Sequence, residues 1–233
     1  MKARAVVVGV AVVTFAGGCG GTPDEGRPDP PPTTAAATTA YQPPADPCAA
    51  APEAVAKRLK LAKPTRETYD LFARDEQRPS DPLVSYGQLT CFWSVANAGR
   101  GPDGRPNEMT ARVAYSVLTP DRPTAAGIAA GVFRTGKEEL EKKDVLREGT
   151  AKVECDEGYD VFVHEESVTG AGSEVEVTVR RANAVVTVAF SGADLRLDPT
   201  KPRGLQLVTS PVDEKRLRPV VDAVLPGALA LLA

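Results

Sequence analysis

Few residues of this chain carry chemistry of their own. They are one histidine, His164, four cysteines, Cys19, Cys48, Cys91 and Cys155, and an acidic run, Glu154, Asp156, Glu157 and Asp160. A Ser-His-Asp centre would have to use His164, because no other imidazole can take a serine proton. No G-x-S-x-G elbow accompanies it; in "VTGAGSEV" only Gly172 stands before Ser173. In the alternating stretch "YDVFVHE", His164 falls on the side of Asp160 and Phe162, opposite Tyr159, Val161 and Val163, which reads as an exposed or edge-strand histidine. A zinc site from Cys48, Cys91, Cys155 and His164 lacks the closely spaced cysteine pair such sites use. The acidic run lacks the glycine and ligand rhythm of a calcium loop, so it reads as a solvated turn. With 31 acids in the chain, nothing marks two of them as a glycosidase pair. No catalytic residue, metal or cofactor is indicated. A non-enzymatic binding or accessory role is favoured, and an envelope hydrolase with a site near His164 is the alternative.

The four cysteines ask a different question. Lys2 and Arg4 precede an apolar run, Val6 to Phe15, too short to cross the roughly 30 Å core of a bilayer. A positive start, a short apolar run and small residues are the pattern of a secretory signal. Ala16, Gly17 and Gly18 lead directly into Cys19. This resembles the lipobox of bacterial lipoproteins, with Ala16 where that motif usually has Leu. The resemblance implies that residues 1–18 are a signal peptide and that Cys19 carries the lipid, with the bilayer as its partner. Ordinary secretion with a free Cys19 is the alternative.

Gly20 to Asp46 is rich in proline, threonine and alanine and has almost nothing to bury, so it reads as a disordered tether. In polyproline form it would reach on the order of 80 Å. Residues 47–233 are then long enough for one domain with a real core. The chain carries a formal charge of −3, and removing residues 1–18 takes away Lys2 and Arg4 and no acids, leaving −5. Such a chain has no basic field for phosphates, which argues against nucleic acid. An envelope protein, glycan or lipid remains as the partner.

The elements that must position these residues follow from periodicity. A first helix is expected over Pro52–Ala62, with Pro64 ending it, and irregular chain over 65–87. "QLTCFWSVAN" alternates, with Leu89, Cys91, Trp93 and Val95 on one side and Thr90, Ser94 and Ala96 on the other. A second strand, "MTARVAYSVL", turns Ala111, Val113, Tyr115 and Val117 inward. The loop between them, "AGRGPDGRPN", is a hairpin connection and not a phosphate cradle. A helix starts after Pro123 and closes or is interrupted at Gly136. Three strands follow, ending in a hairpin whose turn is Ala182-Asn183. Ser210 to Asp213 reads as a capping box before a last helix, with Leu217, Val220, Val221 and Val224 in a stripe and a kink or restart at Pro226. The tail "LPGALALLA" is expected on the sheet. The fold class is α+β, an antiparallel sheet of about five strands covered by helices.

"ADPC", a helix, and then "CFW" about forty residues on resemble an actinobacterial envelope lipoprotein family known as domain of unknown function 3558. The resemblance implies export, a membrane anchor and a PsbP-like α/β sandwich, and brings no catalytic residues. Cys91 should point into the core from its strand, and Cys48 precedes a helix that packs on that core, so a Cys48–Cys91 disulfide is expected, with Cys155 reduced and buried. The rival pairing is Cys91–Cys155, between neighbouring strands.

Overall fold

The first turn forms because Asp46 accepts a hydrogen bond from the Cys48 amide at 2.9 Å. It starts a 3-10 turn, Pro47–Ala50, with proline at a position where a missing N–H costs little. α1 (Glu53–Leu59) follows. It ends before the expected Ala62 because Lys60 takes a left-handed cap, φ 57°, and returns its N–H to the carbonyls of Ala56 and Lys57. The computed structural model describes residues 40–232, without 75–79, 81, 96–107, 119–124, 143–145, 149–152, 168–169 and 201–206. The signal-like segment, Cys19, nearly all of the tether and the loop at 98–107 therefore lie outside the described residues.

The strands are β1 (Leu61–Ala73), β2 (Val84–Val95), β3 (Glu108–Val117), β4 (Leu146–Glu148), β5 (Glu157–Ser167), β6 (Gly170–Arg181), β7 (Ala184–Leu197) and β8 (Leu207–Pro211). They form one sheet in the order β1-β2-β3-β7-β8-β6-β5-β4, with β7 also pairing β6. Every ladder is antiparallel except a single parallel bridge, Gly170 to Thr209, where β8 sits beside the start of β6. The α+β class with an antiparallel sheet is as expected, but the sheet has eight strands among the described residues, not about five.

Each of the three unforeseen strands has a physical reason. β1 is an edge strand, no residue of it is fully buried, and it carries Pro64 beside an irregularity between Ala62 and Thr65. It therefore shows neither apolar alternation nor freedom from breakers. β4 is three residues long. β8 takes Ser210 and Pro211 into the sheet, so they are not a helix cap. Asp213 caps α3 (Glu214–Ala230) instead, accepting from the Lys215 amide at 2.9 Å.

The two faces of the sheet are covered differently. On one face Cys91, Trp93, Val113, Tyr115, Val177 and Val188 pack under α3, which buries Leu217, Val221, Val224 and Leu225 against them. α3 continues through Pro219 and Pro226, so of the expected kink or restart at Pro226 the helix does not restart. Burial of seven of its apolar residues outweighs the loss of about 3 kcal/mol that an internal proline brings. The tail packs as expected: Ala228, Leu229 and Leu232 are buried, and the Tyr115 hydroxyl donates to the Ala228 carbonyl at 3.1 Å. Gly227 is required there, since a Cβ would stand 2.3 Å from the Ala50 carbonyl oxygen.

On the other face α2 (Ala125–Glu141) lays Ile128, Ala129 and Phe133 against Tyr159, Val161 and Val185. Gly136 does not stop this helix. A side chain at that point would have its Cβ 3.0 Å from the Tyr159 hydroxyl, so glycine serves the packing of Tyr159. The Ala182-Asn183 turn forms as expected. Asn183 also ties down the start of the described chain: its amide donates to the carbonyls of Tyr41 at 2.9 Å and Leu118 at 2.6 Å, and its Oδ1 accepts from the Tyr41 amide at 2.8 Å. The packed chain thus reaches back to Tyr41.

Candidate functional site

The cysteines settle first. Cys48 and Cys91 form a disulfide with Cα atoms 5.1 Å apart, across a sequence separation of 43. Cys91 is fully buried, and Trp93, two residues on, belongs to the same cluster. Cys155 is free but only half-buried, not buried as expected; it lies in the irregular segment before β5, at the margin of that cluster. Burial pushes its thiol pKa up, which keeps it protonated and slow as a nucleophile. A structural disulfide belongs to an oxidising compartment outside the cytoplasm. No helix among the described residues is long and apolar enough to cross a membrane.

His164 is exposed on β5. Its Nδ1 lies 2.9 Å from Ser173 Oγ, and the Phe162 ring meets the imidazole edge-on at 4.8 Å. Ser173 is buried, and its oxygen accepts from the Val212 amide at 3.0 Å. The hydroxyl is therefore engaged from two sides and clips the approach to α3 onto β5 and β6. An attacking serine needs an open path to its substrate, which this one lacks.

The acidic run is divided among arginines. Asp156 and Glu157 meet Arg180 at 3.2 and 2.7 Å, and the Glu154 carbonyl accepts from Arg181 Nε at 2.7 Å. Asp160 departs from the expected solvated turn. It is 1% exposed, because its β5 position faces α3, and Arg218 comes within 3.2 Å of it. No group of three or more His, Cys, Asp and Glu among the described residues is placed to hold a metal.

The arrangement with chemical potential lies elsewhere, on the half of the sheet that α2 leaves open. There a groove of about 440 Å³ runs across β1, β2, β3, β7 and β6. Register explains its shape. One row of cross-strand neighbours, Thr90, Ala114 and Thr187, is short and forms the floor. The row on one side carries Phe92, Arg112 and, beyond Ala189, Glu176. The row on the other side carries Tyr69, Gln88 and Ser116. Long side chains thus stand on both sides of a floor of small ones.

The polar groups of this groove are largely ordered by each other. Arg112 Nη2 donates to Glu176 at 2.8 Å, with Glu174 at 3.7 Å. Thr187 and Thr178 share a hydrogen bond of 2.8 Å, and Thr178 donates to Glu176 at 3.2 Å. Gln88 donates to Ser116 at 3.2 Å, and the Tyr69 hydroxyl donates to Glu67. Thr90 differs. It is 1% exposed, and its Oγ1 makes no hydrogen bond among the described residues.

A second depression, of about 570 Å³, lies between the end of α2 and the start of β5. Charged side chains such as Lys137, Glu138 and Glu157 line it at the surface. Sequence reading put Thr90 on the side of its strand away from the core, which is where it lies, but did not select it as a site residue. The available signal was Phe92, an aromatic between Thr90 and Ser94 on the side of β2 away from α3. No family model, curated protein or solved structure matches this chain.

Proposed function

We propose that the chain is an exported lipoprotein, anchored to the outer face of the cell membrane through lipid on Cys19, whose domain is a non-enzymatic binding module of the cell envelope. The resemblance to the domain of unknown function 3558 family and to PsbP-like folds belongs to this proposal and rests on the D-P-C and C-x-W residues, Asp46 to Cys48 and Cys91 to Trp93. One observation carries the binding role. The sheet seals one face with α3 and leaves half of the other as a polar and aromatic groove. Sites of this size and mixed lining suit small ligands or short polymer segments. The proline-rich stretch after Cys19 would hold the groove off the membrane.

One experiment on cells tests both parts. Wild type and Cys19→Ser, each with a photoreactive side chain at Gln88, are fractionated and illuminated. The wild type should sediment with membranes and cross-link to an envelope component from Gln88, but not from the same probe at Phe72 on the opposite side of β1. Cys19→Ser should be released or remain uncut. A processed Cys19→Ser that still sediments with membranes would refute the anchor. Equal cross-linking from both positions would refute the binding face.

A further inference from the structure

We infer that the groove on the open half of the sheet binds an uncharged glycan. This rests on the reading of the domain as a binding module and names the chemistry of its ligand. The Thr90 hydroxyl is the first ground. A buried hydroxyl without a partner costs stability, and native structures rarely keep one. Thr90 lines the floor of the groove, so a polar ligand seated there would supply the missing hydrogen bond once the side chains that cover the hydroxyl shift aside.

The rows on either side of the floor narrow the ligand further. Phe92 and Tyr69 offer ring surface, which suits the C–H face of a pyranose. Gln88, Thr187 and the Arg112–Glu176 pair offer donors and acceptors at fixed positions, which suits its hydroxyls. Arg112 is already held by Glu176 and Glu174, so its positive charge is offset and the field of the groove opposes an anion. That disfavours phosphates and acidic sugars. An acyl chain would strand the hydroxyls and the ion pair without partners. An extended peptide would pair with a free strand edge, whereas the backbone groups beneath this groove already belong to ladders.

The test uses the purified full-length protein and isothermal titration with cello-, manno- and malto-hexaose, alongside an oligogalacturonate of equal length. At least one neutral hexasaccharide should bind, and more tightly than the oligogalacturonate. Thr90→Val keeps the shape and removes the hydroxyl, so affinity should fall about tenfold, the worth of roughly one hydrogen bond, while the melting temperature stays level or rises. Phe92→Ala should weaken binding at least as much. Phe72→Ala, on the other side of β1 and 66% exposed, should leave it unchanged. Tighter binding of the oligogalacturonate, no binding of any neutral sugar, or affinity indifferent to both groove variants would overturn the glycan assignment. The binding-module reading would then still be judged by cross-linking from Gln88.

Discussion

The two faces of one sheet have opposite fates. Under α3 the inward residues are almost all apolar, the disulfide lies among them, and the closing helix is buried along its length. Under α2 only one end of the sheet is covered, and the rest presents threonines, a glutamine, an ion pair and two aromatic rings. The strands are the same, so the difference comes from alternate residues of each strand. Val113 and Val188 serve stability, while their neighbours Arg112, Ala114 and Thr187 build a surface. Burial under α3, joined by the α2 cluster at one end of the other face, holds the sheet together, which leaves the open half free to carry polar groups at little cost.

The strongest way to break this contrast is through the α3 face. Replacing both Cys48 and Cys91 with Ser opens a loop whose closure is worth about 3–4 kcal/mol in the chain-entropy model. Urea unfolding should show that loss in the midpoint. A loss below about 1 kcal/mol would mean that the sealed face does not depend on the bridge.

A smaller effect depends on pH. Burial pushes the Tyr159 phenol, under α2, up to about 12, against about 10 in the unfolded chain. The folded state keeps a proton that the unfolded state has lost between those values. Its contribution is therefore complete below about pH 10 and disappears as pH rises toward 12, a loss of about 2–3 kcal/mol. Tyr115, under α3, is raised further, chiefly by burial. Both phenols therefore begin to lose their contribution near pH 10, and Tyr159→Phe should lessen the fall in unfolding free energy between about pH 10 and 12, measured by urea unfolding at each pH. A fall as steep in Tyr159→Phe as in the wild type would contradict this origin.

The smallest effect is on the open face. Thr90→Val removes a buried hydroxyl that makes no hydrogen bond among the described residues, so unfolding free energy should be unchanged or higher by up to about 1 kcal/mol. A loss of more than about 1 kcal/mol would assign the hydroxyl to the fold and not to a ligand.

Much of the sealed face could be read directly from residue order. β2, β3 and the β6–β7 hairpin alternate because one side of each is buried, and α3 shows its stripe for the same reason. The bridge followed from Cys91 sharing a side with Trp93 and Cys48 preceding the first helix. β1 was hidden because an edge strand exposed on both sides has no periodic apolar signal. β8 was hidden because Ser-Pro before an acid matches a helix start, and only pairing with β7 draws it into the sheet.

The groove was hidden for a further reason. Residue order determined which side of each strand Thr90, Arg112, Glu176 and Thr187 occupy, because side-chain direction along a strand has period two. It did not determine that they meet. That depended on the register of five strands, on β7 lying between β3 and β6, and on α2 stopping short of the far half of the sheet. Those are long-range choices, decided by the packing of the whole domain and by no local run of residues.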